Sequence, residues 1–511
     1  MIDNVFPLVS PESSTLHLPE PPERARQIFA NRDLRFDQID LIGFDMDYTL
    51  AVYRKVPMES LAHRLTVERL VHKHGYPEEI LGFKYDPGFV IRGLIVDKTL
   101  GNIVKIDRFN HVGRGYHGRR EMTKEERRQV YRNESIRLSN PRYYLVDTLF
   151  ALPEVCLLAD LIDFYEARAA GGGDKVNYEQ LFQDIRTSID EVHQDDSLKG
   201  TIIAHPEQYL ERDEELAHAL HKLRSSGKKL FVLTNSLWNY TDPLMRYLLD
   251  GVLPQYPSWR NYFDAVIVGA RKPMWFTSET PLVELNVGTE GAPGDGKPSD
   301  KPVEKLARGR VYQSGNLREF EKLMVYAGEK ILYIGDHIYG DILKTKKSGL
   351  WRTALVVSEL EDELRLADKY AAELAELHQL EDRRSLIDQE LLYNKTMLTS
   401  LERVIDGIEP AGHKAERERL IVMAKETRRD RDEMKRVMQE TLEKIEALTH
   451  IVENEFNSCW GLVFKEGHEN TRFGAQVADY ACVYTSRVSN FLAYSPLQYF
   501  RAPRALMTHE R

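Results

Sequence analysis

Two aspartates one residue apart, Asp45 and Asp47, follow a short apolar run. Residues i and i+2 of an extended backbone point to the same side, so both carboxylates would face one small volume. They would repel each other without a counter-charge, and a cation would stabilise both as anions. An ionised aspartate can attack phosphorus and form an acyl phosphate, while a second carboxyl protonates the leaving oxygen and later activates water. The pair indicates phosphoryl-transfer chemistry, although a DxDxT pattern alone is a weak signal.

Two more carboxylates, Asp336 and Asp341, lie in a glycine-containing segment after another apolar run. Taken alone, this segment would be interpreted as a capped turn between a strand and a helix, because its glycines permit a tight turn. Mg²⁺ binds one or two carboxylates together with water and phosphate oxygens. With the first pair, the segment predicts a Mg²⁺ site in which Asp45 and Asp336 are direct ligands and Asp341 is a ligand or a neighbour of one.

Groups suited to phosphate oxygens follow two further apolar runs. Thr234 and Asn235 place a hydroxyl and backbone N–H groups after the first run, and Lys272 follows the second. Such groups can hold the equatorial oxygens of a transferring phosphoryl group. A lone Lys272 would be interpreted as a solvated lysine. Four polar motifs occur in this order along the chain, and each follows an apolar run. Their combination favours a phosphohydrolase.

Four predicted strands must position these side chains. They cover residues 39–44, 229–233, 265–268 and 331–334, and a helix is predicted over 214–223. Ligands of open α/β sheets bind beyond the carboxyl ends of the strands, where the polar residues stand here. The pattern predicts an α/β fold with a doubly wound, Rossmann-like sheet.

The rest of the chain divides by length and composition. The predicted units are an N-terminal arm (1–35), a core (36–50 and 205–357), an inserted cap (51–204), a helical hairpin arm (358–455) and a C-terminal segment that packs on the core (456–511). The insertion is too long for a simple crossover. Its predicted strands are 90–96 and 103–109, and its predicted helices are 153–165 and 178–192. Residues 284–303, rich in Gly, Pro, Asp and Ser, are predicted to form a mobile surface loop.

Residues 358–455 are dense in charged side chains, with apolar residues at spacings of three, four and seven. This pattern predicts two long helices that form a hairpin, or a short antiparallel coiled coil. A solvated structural arm is the preferred interpretation, and an oligomer contact is the alternative.

The 511 residues are enough for two or three structural units. A formal charge of -10 gives no global attraction to nucleic acid or to an anionic membrane. The three cysteines are far apart and suggest neither a disulfide framework nor a zinc site. The sequence has no run of 18 apolar residues and no signal-peptide pattern at its start, so we expect a cytoplasmic protein without nucleic-acid or membrane partners.

The four motifs resemble those of the haloacid dehalogenase superfamily. The residues of these motifs resemble more closely those of the cytosolic purine 5′-nucleotidases that prefer IMP and GMP. The segments that carry this resemblance are FDMDYTL (44–50), TLFALPE (148–154), FQDIRTSIDEVH (182–193), TNS (234–236), ARKP (270–273), GDHIYGDILKTKK (335–347) and FRAPRALMTHE (500–510). The resemblance spans nearly the whole chain, and the long motifs are specific.

The resemblance implies a role for each matching residue. Asp45 is the nucleophile, and Asp47 is the general acid and base whose backbone carbonyl also binds Mg²⁺. Asp336 is a metal ligand with Asp341 beside it. The implied phosphate-binding residues are Thr234, Asn235, Ser236 and Lys272. The implied base- and sugar-binding residues are Phe150, which stacks on the base, and Arg186, Asp190, His193 and Lys199.

Three of the cap residues, Arg186, Asp190 and His193, stand at i, i+4 and i+7, which places them on one face of a helix. Their donors and acceptors suit a purine edge. The alternative is an ion pair of Arg186 with Asp190 on a solvated surface.

Several positions depart from the family pattern. Gln194 stands where the family usually has an aromatic residue, and acidic residues follow it, so the preferred base stays open. The family also has an effector site for ATP-like nucleotides, and its matching positions are Arg137, Tyr339, Lys347, Gln476 and Tyr480. Leu145 and Asp147 differ from the usual residues there, and an acidic Asp147 is unfavourable beside an anion. The long hairpin also departs from the animal members of the family. The resemblance therefore does not imply a tetramer for this chain, and a homo-oligomer is kept as an alternative.

The predicted reaction is Mg²⁺-dependent hydrolysis of purine nucleoside 5′-monophosphates through an aspartyl phosphate, with phosphotransfer to a nucleoside as a side activity. One alternative is the same chemistry on another phosphomonoester, such as a sugar phosphate. A second alternative is a nucleotide-binding regulatory or scaffold protein, although pure binding does not need a nucleophile. A P-loop kinase is excluded because no GxxxxGK[ST] segment occurs.

Overall fold

The computed structural model describes residues 21–132, 134, 136–172, 174–289, 292–408, 413–504 and 507. Its strands are β1 (Phe29–Ala30), β2 (Leu34–Arg35), β3 (Leu41–Phe44), β4 (Ile95–Asp97), β5 (Asn102–Ile106), β6 (Val112–His117), β7 (Arg120–Glu121), β8 (Tyr143–Leu145), β9 (Lys229–Leu233), β10 (Ala265–Val268), β11 (Leu282–Leu285), β12 (Gly288–Thr289), β13 (Ala292–Pro293), β14 (Pro298–Pro302), β15 (Val311–Ser314), β16 (Ile331–Gly335), β17 (Arg352–Val356), β18 (Lys465–Glu466), β19 (Glu469–Asn470), β20 (Val483–Thr485) and β21 (Tyr499–Phe500).

Its helices are α1 (Lys55–His74), α2 (Lys124–Tyr131), α3 (Leu152–Ala170), α4 (Tyr178–Gln194), α5 (Ser197–Ala204), α6 (Pro206–Tyr209), α7 (Glu214–Ser225), α8 (Trp238–Leu249), α9 (Leu317–Met324), α10 (Lys344–Gly349), α11 (Glu359–Lys369), α12 (Ala371–Gly407), α13 (Lys414–Phe456) and α14 (Arg472–Tyr480). Most of the predicted N-terminal arm, residues 1–20, lies outside the described residues.

A central mixed sheet of ten strands organises the fold, in the order β1-β20-β17-β16-β3-β9-β10-β15-β11-β14. The four predicted strands are confirmed as β3, β9, β10 and β16. They are buried along most of their length and belong to the parallel part of the sheet, in which β3 pairs with both β9 and β16. The α/β fold class is therefore confirmed.

The edges of this sheet differ from the sequence-based expectation. At one edge, β1 pairs with β20, so the segments near the two ends of the chain meet in the central sheet. At the other edge, the prediction of a loop over 284–303 is wrong in part, because β11 pairs with both β15 and β14. An edge strand needs ladder partners on one side only, so β14 can accommodate its two prolines.

Both faces of the sheet are covered by apolar side chains. Leu230 and Val232 of β9 belong to the larger core cluster, while Phe231 and Leu233 belong to a second cluster on the opposite face. This alternation is the ordinary geometry of a strand. Gly43 on β3 is required by the packing, because a Cβ atom there would lie 2.1 Å from the Phe231 ring.

The segment between β3 and β9 carries its own antiparallel sheet, in the order β7-β6-β5-β4-β8, and helices that include α1, α3 and α4. The predicted strands and helices of this segment correspond to β4, β5, α3 and α4. Further along the chain, α12 and α13 pack against each other along the hairpin. None of the helices within the described ranges has the length and apolar character needed to cross a membrane.

Candidate active site

Three buried carboxylates meet at the carboxyl edge of the central sheet. Asp45 stands directly after β3, Asp336 directly after β16, and these strands are parallel neighbours. The Asp45 N–H donates to the Ile334 carbonyl at 2.8 Å, which continues the pairing beyond the strand end. Asp341 joins them from the following turn, and ligand oxygens of the three side chains all lie within 4.8 Å of one another. We call these three residues the carboxylate cluster.

The turn over 338–343 directs Asp341 back toward the strand end. Its carboxylate approaches Gly335 so closely that a Cβ atom there would lie 2.5 Å from a carboxylate oxygen. The His337 N–H donates to Asp341 Oδ2 at 3.2 Å, and His337 Nδ1 accepts the Gly340 N–H at 2.8 Å. The glycine at 335 is therefore explained by this close approach, in addition to the turn that the sequence predicted.

Lys272 supplies the positive charge inside the carboxylate cluster. Its ammonium lies 2.8 Å from Asp45 Oδ1 and 2.7 Å from Asp341 Oδ1, and its side chain is almost fully buried. It also donates to the Tyr333 hydroxyl at 2.9 Å. The Asn235 amide holds the Lys272 backbone from both sides, accepting its N–H at 2.6 Å and donating to its carbonyl at 3.0 Å. Asn235 therefore positions the lysine, a contact that its sequence neighbourhood did not indicate.

The three carboxylates of the cluster, when all are ionised, carry more negative charge than the Lys272 ammonium balances. Burial raises the pKa of Asp45 to about 8, against the lowering effect of Lys272, and burial raises the pKa of Asp336 well above its usual value. Burial would lower the pKa of Lys272, but Asp341 and Asp45 outweigh it and raise that pKa. Three carboxylates thus face one ammonium. Closely spaced oxygen donors with excess negative charge fit a hard divalent cation such as Mg²⁺.

Asp47 lines a cavity near the carboxylate cluster, where two hydroxyl groups hold its carboxylate. Its Oδ1 accepts the Tyr53 hydroxyl at 2.6 Å, and its Oδ2 accepts the Ser236 hydroxyl at 2.7 Å. Tyr53 is held in turn by Tyr240 at 2.9 Å. Thr234 is fully buried at the end of β9, where its hydroxyl oxygen accepts the Ser236 N–H at 3.1 Å. The Asp47 carboxyl is thus held in one orientation beside the cluster.

The cavity of about 300 Å³ beside Asp47 collects the residues predicted in the cap. Its lining includes Asp47, Tyr53, Thr148, Phe150, Arg186, Asp190, His193, Lys199, Asn235, Ser236 and Tyr240. All five predicted base- and sugar-binding residues therefore face the same space as Asp47 and the segment after β9. We call this space the substrate cavity. Its volume lies at the lower end of the range for small-molecule sites.

The helix face predicted from the i, i+4, i+7 spacing lines this cavity on α4. Arg186 donates to Asp190 at 3.1 Å, so the predicted ion-pair alternative is also present. Arg186 additionally contacts the buried Glu154 at 2.8 Å, which anchors the guanidinium at the cavity wall. Burial lowers the pKa of His193 to about 4, helped by nearby Lys199. This imidazole is therefore neutral near pH 7.

A protein-family model described as the 5′ nucleotidase family matches residues 28–511. The chain belongs to the 5′ nucleotidase family. A 5′-nucleotidase domain-containing protein of Dictyostelium discoideum is 29% identical over 492 residues, which are 95% of this chain and 75% of that protein. The 5′-nucleotidase domain-containing protein 2 of Rattus norvegicus is 27% identical over 495 residues, which are 94% of this chain and 80% of that protein.

Membership of the 5′ nucleotidase family supports the hydrolysis of nucleoside monophosphates in general. The prediction of a 5′-nucleotidase enzyme is confirmed at this level. Placement in the haloacid dehalogenase superfamily, the purine preference and the roles of the individual residues stay predictions.

Asp195, one of the acidic residues that depart from the resembled nucleotidases, contacts α1 and the start of α5. Asp195, one residue beyond Gln194, is bound by Arg69 of α1 and by Ser197 at 2.6 Å. It is directed toward these groups and is absent from the lining of the substrate cavity. Asp195 therefore connects the end of α4 with α1 and α5.

The residues predicted for the effector site come from several segments of the chain: Arg137, Tyr339, Lys347, Gln476 and Tyr480. Tyr339 lies in the turn over 338–343, and α14, which carries Gln476 and Tyr480, packs against this turn. Lys347 follows on α10, while Arg137 lies between α2 and β8. The departing residue Asp147 lies 3.6 Å from His337. The effector site itself stays a prediction.

Sequence reasoning missed the buried Arg92, which joins the carboxylate cluster to α11. Its guanidinium donates to the Asp336 carbonyl at 3.1 Å and forms a bidentate pair with Glu359 at 3.0 and 2.6 Å. It also lies over the Phe473 ring, 4.8 Å from the centroid. No local motif marks Arg92, since its partners are 244 and 267 residues away in the chain.

Proposed function

We propose that the protein is a Mg²⁺-dependent 5′-nucleotidase of the haloacid dehalogenase type, and that it hydrolyses purine nucleoside 5′-monophosphates of the IMP and GMP class. The observation that carries this proposal is the adjacency of two differently built spaces. The carboxylate cluster with Lys272 suits a phosphoryl group and a cation, and the substrate cavity that begins at Asp47 suits a nucleoside.

In the first step, a carboxylate oxygen of Asp45 attacks phosphorus and the bond from phosphorus to the 5′-oxygen breaks. Asp47 gives its proton to the leaving 5′-oxygen, so the nucleoside leaves as an alcohol. Asp47 is suited to this role because it stands two residues from Asp45 and lines the substrate cavity, where Tyr53 and Ser236 fix the orientation of its carboxyl.

In the second step, the Asp47 carboxylate takes a proton from water, and the oxygen of that water attacks phosphorus. The bond between phosphorus and Asp45 breaks, which releases inorganic phosphate and restores the Asp45 carboxylate. The Lys272 ammonium, which donates to the Tyr333 hydroxyl, stabilises the charge on the phosphoryl oxygens in both steps, and Asn235 holds the backbone of this lysine. Asp47 therefore ends the cycle protonated, as it began.

Asp45 and Asp336 would hold the Mg²⁺ ion directly, with the Asp47 backbone carbonyl as a third ligand and Asp341 beside them. When bound, the ion supplies positive charge that keeps the carboxylates ionised and stabilises charge on phosphate oxygens. Asp45 has a pKa raised by burial, so an ionised nucleophile near pH 7 requires such a counter-charge.

In the substrate cavity, Phe150 offers an aromatic face for the base. Its ring meets the His193 ring at 5.5 Å between centroids, and the neutral imidazole offers one donor and one acceptor to a purine edge. Arg186 and Asp190 offer further donors and acceptors, and the Lys199 ammonium lies over the Tyr240 ring in the cavity lining.

The test measures phosphate release from IMP, GMP, AMP and several sugar phosphates, with Mg²⁺ and with EDTA, by the natural chain and by Asp45→Asn. We expect release from IMP or GMP that EDTA abolishes and the variant lacks. Release from sugar phosphates alone would retain the aspartyl-phosphate chemistry and discard the nucleotide assignment. Release that persists in Asp45→Asn would refute the proposed nucleophile.

Two further properties of the resembled nucleotidases, phosphotransfer and activation by an ATP-like effector, are also proposed for this chain, each with its own test. With IMP as donor and labelled inosine as acceptor, we expect labelled IMP, because an acyl phosphate can react with a nucleoside hydroxyl as well as with water. With millimolar ATP, we expect increased activity. Absence of labelled IMP in the first assay would refute the phosphotransfer proposal. An unchanged rate of phosphate release in the second assay would refute the effector proposal.

A further inference from the structure

A second group of metal-ligating side chains lies between helices α1 and α3. His63 comes from α1, and Cys156 and Asp160 come from α3. One ring nitrogen of His63, the Cys156 sulfur and one carboxylate oxygen of Asp160 all lie within 4.8 Å of one another. None of the three residues belongs to the carboxylate cluster. We call them the His-Cys-Asp group.

The packing of two helices brings this group together. Cys156 and Asp160 stand four positions apart, which places them on one face of α3. Helix α1 packs against α3, and the buried His63 lies at their contact, where its ring reaches both α3 residues. Because His63 is distant in the chain, the spacing of the cysteines gave no indication of this group.

The His63 imidazole has a free position for a ligand. The residue is 2% exposed, and its Nε2 atom has no hydrogen-bond partner among the described residues. A buried polar atom without a partner is rare and is often explained by a bound water or ion. Burial, helped by the nearby Arg119, lowers the pKa of His63 to about 4, so the ring is neutral near pH 7. The neutral imidazole is the form that binds a metal ion.

The charges around the His-Cys-Asp group are compatible with a divalent cation. The Arg119 guanidinium donates to both oxygens of Asp160, at 2.7 and 3.0 Å, and contacts Asp86 at 3.1 Å. Its positive charge is therefore offset by two carboxylates. Each carboxylate oxygen has more than one lone pair, so Asp160 can bind Arg119 and a metal ion together. Arg119 also donates to the Cys156 sulfur at 3.1 Å, which would stabilise a thiolate.

The ligand types favour Zn²⁺ over Mg²⁺. Imidazole, thiolate and carboxylate are the ligands of Zn²⁺ in proteins, whereas Mg²⁺ is bound by oxygen atoms. Burial raises the pKa of the Cys156 thiol to about 11, so the thiol proton would pass to solvent as the bond from sulfur to zinc forms. Zn²⁺ usually has four ligands, which leaves one position for water. The Asp160 side chain is 19% exposed, so one side of the group is open to solvent.

We propose that His63, Cys156 and Asp160 form a Zn²⁺ site that is separate from the proposed Mg²⁺ site, with water as the fourth ligand. The bound ion joins α1 to α3. Helix α3 begins directly after the turn that carries Phe150, a residue of the substrate cavity. The ion therefore stabilises the two helices next to one wall of that cavity.

The experiment uses Co²⁺ as a spectroscopic probe for Zn²⁺ on the full chain, without an affinity tag, in a phosphine reductant and excess Mg²⁺. A bond between Co²⁺ and a thiolate gives a charge-transfer band in the near ultraviolet, which the carboxylate cluster cannot give because it contains no sulfur. We expect the band to saturate at one Co²⁺ per chain and to disappear when Zn²⁺ is added. Absence of the band in the natural chain at saturating Co²⁺ would overturn the proposal.

Substitutions assign the band to the group. Cys156→Ser should remove it. His63→Phe keeps an aromatic ring at the buried position and should weaken Co²⁺ binding by at least about 100-fold, since loss of a partner behind a metal ligand already costs about 10–100-fold. Cys482→Ser, at another buried cysteine, and Cys459→Ser are the controls and should keep the band. A band that persists in Cys156→Ser, or unchanged affinity in His63→Phe, would refute the site.

Thermal unfolding gives an independent measurement. Zn²⁺ should raise the Tm of the natural chain and of Cys482→Ser, because it binds the folded state, and should leave the Tm of Cys156→Ser and His63→Phe unchanged. Circular dichroism without metal checks that the variants fold, and Asp160→Asn, at a partly exposed position, should reduce the rise without removing a core side chain. An equal rise in all five chains would assign Zn²⁺ binding to other residues and overturn the proposal.

Discussion

The carboxylate cluster and the wall of the substrate cavity lie side by side but are built differently. The cluster takes Asp45 and Asp336 from the ends of β3 and β16 and Asp341 from the following turn, and backbone pairing, burial and the Lys272 ammonium hold them. The cavity wall takes Arg186 and Asp190 from one face of α4, and both remain partly exposed to solvent. The proposed phosphoryl chemistry therefore depends on buried, closely packed charged groups, whereas the proposed base recognition depends on partly exposed side chains that can change separately.

Removal of the one ammonium in the cluster should give the largest effect. We expect Lys272→Met to lower kcat for IMP by about 10³-fold, because among the described residues Lys272 alone forms an ion pair with Asp45. Steady-state phosphate release with saturating Mg²⁺ measures it. Lys322→Met, at an exposed position on α9, is the control and should leave kcat unchanged. A loss of less than tenfold in Lys272→Met would show that the lysine does not stabilise the phosphoryl group.

Weakening the support behind the cluster should give an intermediate effect. We expect Arg92→Lys to raise the Mg²⁺ concentration for half-maximal activity by about 10–100-fold, since lysine cannot form the bidentate pair with Glu359 while holding the Asp336 carbonyl. The rate at saturating Mg²⁺ should stay close to that of the natural chain, which separates positioning from a chemical role.

Arg260→Lys is the control for this positioning effect. Arg260 is also buried, but its guanidinium contacts the carbonyls of Gly288 and Gly309 at 3.3 Å, in another part of the molecule. An equal shift in the Mg²⁺ requirement for both variants would mean that any buried arginine matters through stability alone.

A change confined to the cavity wall should separate the two regions. We expect Phe150→Leu to raise KM for IMP by about tenfold, through the loss of aromatic contact with the base. Its activity on para-nitrophenyl phosphate, which has no purine, should change little. A parallel loss on both substrates would show that Phe150 acts through its neighbours Tyr48 and Tyr53 instead of through the base.

The smallest effect concerns stability near α1. Burial raises the pKa of Glu59 to about 7, so the folded chain keeps a proton that the unfolded chain loses above its ordinary pKa of 4.5. Stability should therefore fall as pH rises from about 4.5 to 7, by up to about 3 kcal/mol. Glu59→Gln should remove this part of the fall, measured as Tm at pH 5 and pH 8. Glu68→Gln, less buried on the same helix, should keep it.

The sequence predicted the parts of the fold that depend on local pattern. The runs at β3, β9, β10 and β16 are apolar because strands between two covered faces exclude water on both sides, and such runs can be recognised without knowledge of their neighbours. The shared helix face of Arg186, Asp190 and His193 could also be predicted from the sequence, because the helical period depends only on local spacing.

Other features were decided only by tertiary structure. The loop predicted over 284–303 contains edge strands because β15 offers them a ladder partner. β1 and β20 pair across most of the chain length. The hydrogen bonds of Arg92 and Asn235 likewise depend on which loops the packed sheet brings together.

The sequence by itself therefore determined the residue types available at each strand end and helix face, since these follow from spacing and burial preference. Tertiary structure decided which of them meet. It placed Lys272 between two carboxylates, turned Asp47 toward Ser236 and directed Asp195 to Arg69. The physical reason is that such contacts join residues far apart in the chain, and their geometry is set by the packing of whole elements rather than by local pattern.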